Sequence, residues 1–193
     1  MRHLPTIALV LLLAVGLQSA WADSPRRVVV TTEFSIPLNP PAIAAGEVLP
    51  PGAADTLSLG VGYRFWGIFN ASAHLYNEIV YGADNPVGFT VRPMGLFSGG
   101  LGLEIPLGGP HLILDWQRLF TGPSAPNEGV VSYARQSKIG VSFSLTEMWR
   151  IHVFSRTIRN FSDRARELVE YQPILTDPRT RFTTIGIGTS LRF

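Results

Sequence analysis

The sequence predicts an all-β chain, a closed antiparallel eight-stranded transmembrane β-barrel of up-and-down topology. Three observations predict it. Apolar residues recur at every second position over most of the chain, the period at which a strand alternates its two faces. The connections between these segments alternate between long and short. Hydrophobic residues make up 46% of the 193 residues and charged ones only 16%. Yet beyond position 22 no unbroken apolar run exceeds about five residues, against the roughly 18 that a membrane helix needs.

The first element is a leader. Arg2 and His3 precede an apolar run, TIALVLLLAVG, at 6–16, and Ala20-Trp21-Ala22 supplies small residues at both positions of an A-x-A site. This is the three-part pattern of a signal peptide. Residues 1–22 are therefore expected to be cleaved, leaving 23–193 as one barrel domain. The apolar run is shorter than the roughly 20 residues of a spanning helix, which disfavours an uncleaved anchor.

Eight strands follow, at 27–38, 56–65, 69–81, 95–107, 111–120, 130–145, 150–161 and 181–193. In the first, Val28, Val30, Thr32, Phe34, Ile36 and Leu38 alternate with Arg27, Thr31, Glu33 and Ser35. In the second, Leu57, Leu59, Val61, Tyr63 and Phe65 alternate with Ser58, Gly60, Gly62 and Arg64. The fourth sets Phe97, Leu101, Leu103 and Ile105 against Ser98, Gly100, Gly102 and Glu104. The sixth sets Ile139, Val141 and Phe143 against Lys138, Gly140 and Ser142. Glycine weakens a strand interior, so its recurrence on the polar faces points to a crowded concave inside. The short connections are 66–68, 108–110 and 146–149, and the long ones 39–55, 82–94, 121–129 and 162–180. Tight periplasmic turns and longer outer loops have this rhythm. Val87, Phe89 and Val91 also alternate, but a ninth strand would break the rhythm, so they are assigned to the second long connection. An even strand number puts both termini on the periplasmic side. Phe65, Trp66, Phe69, Trp149 and Phe193 fall at the short-turn ends, and Phe120, Tyr133, Phe161 and Phe182 near the other rim. Two aromatic girdles flank the apolar band of such barrels.

The last strand ends in Phe193, and counting back by twos gives Leu191, Thr189, Ile187 and Ile185. A terminal aromatic closing an alternating strand resembles the C-terminal signature of bacterial outer-membrane proteins. With the leader and eight strands, the chain resembles the small outer-membrane barrels of the OmpA/OmpX type over 27–193. The resemblance implies residence in the outer membrane, among its lipid and lipopolysaccharide. It also implies that Phe193 and Leu191 form the signal read by the barrel-assembly machinery.

The polar faces collect four carboxylates, Glu33, Glu78, Glu104 and Asp115, and four cations, Arg64, Lys138, Arg156 and Arg192. His74, Gln117 and His152 share those faces. Eight strands enclose an interior that side chains just fill, and a buried charge must be paired. A neutral salt-bridge network that plugs the lumen is therefore expected. The alternatives are a narrow channel for small solutes and a lipid A-modifying barrel enzyme. A lipid A deacylase resembles a His-x-Ser pair on one strand face with a downstream Glu. Here His152 and Ser155 are three apart, with Glu167 and Glu170 beyond, and residues three apart face opposite sides of a strand. No catalytic residue, metal ligand set or cofactor site is assigned, and an enzyme is disfavoured. The absence of Cys excludes disulfides, thiolate metal sites and a thiol nucleophile. Sixteen Lys and Arg against 14 Asp and Glu give +2, too balanced for nucleic acid. The stretch 162–180 is the most charged loop and is read as solvated or facing lipopolysaccharide head groups.

Overall fold

The structure is a computed structural model that describes residues 27–38, 52, 54–81, 88–121, 131–159, 161 and 181–193. The leader at 1–22 and the charged loop at 162–180 lie outside the described residues. Eight strands are formed: β1 Val28–Pro37, β2 Thr56–Phe65, β3 Phe69–Tyr81, β4 Phe89–Pro106, β5 His111–Thr121, β6 Val131–Ser144, β7 Trp149–Arg159 and β8 Arg181–Arg192. Each pairs antiparallel with its sequence neighbours, and β1 pairs with β8 to close the barrel. Closure leaves no strand edge with unpaired backbone groups, a condition for crossing a bilayer with strands. At the seam the backbone of Phe193 and Val28 exchange hydrogen bonds of 2.9 and 3.2 Å. Among the described residues no helix is long and apolar enough to cross a membrane.

Two departures from the sequence reading have local causes. The segment expected as loop, 89–94, instead lengthens β4, with Phe89 opposite Tyr81 and Arg92 opposite Glu78. Its alternation is real, and the pairing slips at Tyr76/Asn77, where Met94 and Gly95 fall out of register. Gly95 takes φ +65° there, a left-handed conformation suited to glycine. The second departure concerns the upper aromatic girdle. Tyr133, Phe161 and Phe182 do not line the outer rim but are buried, packed with Leu96, Leu119, Ala134 and Ile158. Phe182 has the inward parity of β8, and a register shift at Leu119/Phe120 releases Tyr133 from strict alternation. Phe120, expected at that rim, keeps the outward parity of β5 and stacks on Phe97 at 5.4 Å, and Tyr81 and Phe89 are outward there too.

The short-turn end is built as expected. Phe65, Trp66 and Phe69 form an edge-and-stack cluster with centroids 5.4–5.9 Å apart. Trp66 has φ 50° and Gly67 φ 72°, so the tight turn holds a tryptophan in a conformation that non-glycine residues seldom adopt.

Candidate functional site: the charged barrel interior

Strand parity decides what lines the inside, and it brings all eight expected charges there. Glu33, Arg64, Glu78, Glu104, Asp115, Lys138, Arg156 and Arg192 are each buried. They do not form one network. From the short-turn end to the long-connection end the inward side chains lie in four layers.

The first layer surrounds Glu104. Arg192 Nη2 donates to both of its carboxylate oxygens at 2.6 Å. Arg150 pairs with Oε1, and Arg64 Nε lies 3.8 Å from Oε2. Arg64 also donates to the carbonyl of Gly67 in the turn. Arg150 is an addition to the eight charges that the sequence places inside. It has the parity of His152 and Arg156 and opens the expected strand 150–161, so the same count by twos reaches it.

The second layer surrounds Glu33, only 1% exposed. Lys138 Nζ donates to its Oε1 at 2.8 Å and lies 2.6 Å from Asp115 Oδ2. Arg156 pairs with Oε2, His152 Nε2 lies 3.1 Å from Oε1, and the Ser58 hydroxyl donates at 3.4 Å. Two carboxylates thus meet two fixed cations, and the four charges come from β1, β5, β6 and β7. Phe154 lies under Lys138 and Arg156, 5.6 and 5.0 Å from its centroid, which adds cation–π attraction.

The third layer is uncharged. Gln136 Nε2 donates to Tyr76 Oη and Gln117 Oε1, both at 2.9 Å, while Ser98 Oγ donates to Gln117 Oε1 at 2.6 Å. Gln117 Nε2 reaches Ser72 Oγ at 2.9 Å. The fourth is the apolar cluster of Leu119, Tyr133, Ile158 and Phe182. Glu78 stands apart at the top of β3, 3.9 Å from Arg92.

The inward glycines make room for this filling. A Cβ at Gly60 would collide with His74, at Gly102 with Asp115 and Asn70, and at Gly188 with His152 and Glu33. The space left between the first two layers is a cavity of about 70 Å³ lined by Glu33, His74, Asp115, Arg150 and His152 among others. That holds a few waters, each needing about 10–15 Å³ of such volume.

His152 points into the lumen and Ser155 lies on the outer face, with the β6–β7 register unbroken from Arg135 to Ser144. A serine and its base need hydrogen-bond contact, and here the wall separates them. Glu167 and Glu170 lie outside the described residues. Among the described residues no three His, Cys, Asp or Glu are grouped to hold a metal.

No family model and no curated protein matches the sequence. Among solved structures, the chain is similar to the N-terminal β-barrel domain of Pseudomonas aeruginosa OprF, with 11% identity over 87% of this chain and 98% of that one and a TM-score of 0.48. It is likewise similar to Neisserial surface protein A, NspA, with 13% identity over 88% of this chain and 98% of that one and a TM-score of 0.47.

Proposed function

We propose that this chain is a non-enzymatic outer-membrane β-barrel whose lumen is closed by its own side chains. In this reading the long connections face the exterior and both termini face the periplasm. The observation that carries it is the inversion of the fold. Every strand turns a large apolar side chain outward: Val30, Leu59, Leu75, Leu101, Trp116, Ile139, Val153 and Ile187 are 44–61% exposed. Nine charged side chains, the eight expected ones and Arg150, are buried inside. In water such a wall would aggregate, whereas hydrocarbon solvates it. The aromatics at the short-turn end suit an interfacial belt.

Phe193 and Leu191 lie on the outward face of the closing strand, both exposed, where an assembly factor can read them. Deleting Phe193 should lower outer-membrane levels and leave the chain degraded in the periplasm, and unchanged levels count against the signal. For topology, a Cys at Asp177 should label on intact cells with an impermeant thiol reagent and one at Glu147 should not.

The closed lumen is tested by planar-bilayer conductance of the refolded protein, with no steady current expected. A steady, ion-selective current would promote the narrow-channel reading, with the 70 Å³ cavity as the widest part of its path.

A further inference from the structure

Four arginines far apart in sequence meet on the outer wall. Arg118 is opposite Arg135, Arg135 opposite Arg159, and Arg159 opposite Arg181. All four are exposed, on β5 to β8, toward the long-connection end. Like charges directly opposite on neighbouring strands destabilise a sheet, so an unbroken row of four calls for an anion. Among the described residues none of the four has a carboxylate in salt-bridge range.

The row is inclined. The pairing line through it starts at Val30 and passes Val61, Ala73 and Gly99 before reaching Arg118. Arg181 in turn lies beyond Thr184, the partner of Pro37. The line therefore climbs toward the long-connection end, and Arg181 stands highest. Three inter-strand spacings give the row a length of roughly 14 Å, enough for two phosphate groups.

Beneath the arginines the outer face stays polar for one more row, with Ser137 opposite Thr157 and Thr157 opposite Thr183. Below that the wall dips into an open apolar groove of about 540 Å³. Ser155 makes the dip, a small side chain paired with Ile139 on one side and Ile185 on the other. Gly140 and Gly186 complete the floor, and Phe34, Ile36, Val153 and Ile187 raise its walls.

A cationic row, a belt of hydroxyl donors and an apolar groove, stacked along the membrane normal, match one kind of ligand. The geometry points to a binding site on β6–β8 for a phosphorylated, multiply acylated lipid of the outer leaflet. Its phosphates lie on Arg135, Arg159 and Arg181, with Arg118 at the lower end of the row, and one acyl chain fills the groove over Ser155. Guanidinium forks suit phosphate oxygens, and the groove gives an acyl chain contacts that a flat wall lacks. This site rests on the reading that the long-connection end lies in the outer leaflet.

The test uses the refolded full chain in nanodiscs of zwitterionic lipid, with bound lipid counted by native mass spectrometry. The probes are bis-phosphorylated lipid A, the same lipid dephosphorylated, and phosphatidylglycerol. The phosphorylated lipid A should bind in preference to the other two. R135Q and R159Q should each weaken it on the order of tenfold, the scale of one charge-assisted hydrogen bond. S155L keeps every arginine and fills the groove, and it should speed dissociation of the lipid. In ligand-free discs R135Q/R159Q should melt no lower than the wild type, because a like-charge contact is gone. Equal binding by R135Q/R159Q, equal retention of the dephosphorylated lipid, or an arginine-dependent preference for phosphatidylglycerol overturns the site. An unchanged off-rate in S155L overturns its acyl-chain half. A lower melting temperature of R135Q/R159Q without ligand overturns it too, by making the arginines structural. Lipid binding in discs is independent of cellular topology, so inverted Cys labelling sinks the orientation and leaves the disc result standing.

Discussion

The lumen holds two carboxylates in the grip of several cations, Glu33 in the middle of the barrel and Glu104 near the short turns. Around Glu33 the fixed charges balance, with Asp115 sharing Lys138 and with Arg156 completing the set. Around Glu104 three arginines converge on one carboxylate. The difference follows from position along the barrel. Mid-barrel charges have only a few enclosed waters beside them and must neutralise one another. Toward the mouth a guanidinium reaches the turn, as Arg64 does at the carbonyl of Gly67, and bulk solvent is nearer. The middle cluster is thus a structural clamp joining β1, β5, β6 and β7, and the mouth cluster is a collar of three arginines around Glu104.

The largest effect should come from removing the clamp. Glu33→Ala leaves Lys138 and Arg156 short of a partner in the barrel interior, and breaking a buried pair costs about 3–5 kcal/mol. A sharply lower unfolding temperature in detergent is expected, unchanged by added salt. If Glu33→Ala melts like the wild type, the clamp and the closed lumen both fail.

Filling the glycine space should come next. Gly188→Val would press on His152 and Glu33, and overpacking costs about 1–3 kcal/mol. Thermal melts of Gly188→Val beside Thr183→Val, on the outward face of β8, separate crowding of the lumen from a general intolerance of β8.

Glu104→Ala should cost less than Glu33→Ala, about 1–3 kcal/mol for the lost charged hydrogen bonds, and the loss should change with salt. Equal losses at Glu104 and Glu33 would erase the distinction between collar and clamp. Conductance sharpens it further. A loosened plug would flicker, whereas a stable Glu104→Ala barrel with weakened cation preference would mean an open, solvated pore.

The smallest effect is expected at His152→Ala. The variant removes one hydrogen bond to Glu33 and leaves Lys138 and Arg156 in place, a loss of about 1 kcal/mol. A loss as large as that of Glu33→Ala would make the histidine a full member of the charge balance.

Much of the clamp is legible in the sequence. Glu33, Lys138 and Arg156 sit on the polar phase of a two-residue period, so their inward direction follows from the alternation alone. Arg150 has the same phase and opens the expected strand 150–161, so the alternation turns it inward as well. Tyr133 departs from expectation. A bulge against Leu119 turns the backbone, and bulges leave little trace in a single strand's sequence. The alternation at Phe89 and Val91 is visible too, but a longer strand and an additional strand look alike without a pairing partner.

The sequence by itself determined the faces of the strands, the count of eight and the alternation of turn and loop. Each of these depends on neighbours along the chain, through the pleat and the local turn residues. Only the tertiary structure decided which cation meets which carboxylate, and that Arg118, Arg135, Arg159 and Arg181 form a row. Those are matters of register between strands tens of residues apart. Register is set by closing the barrel on itself, where one shift at the β1–β8 seam would move every charge past its partner.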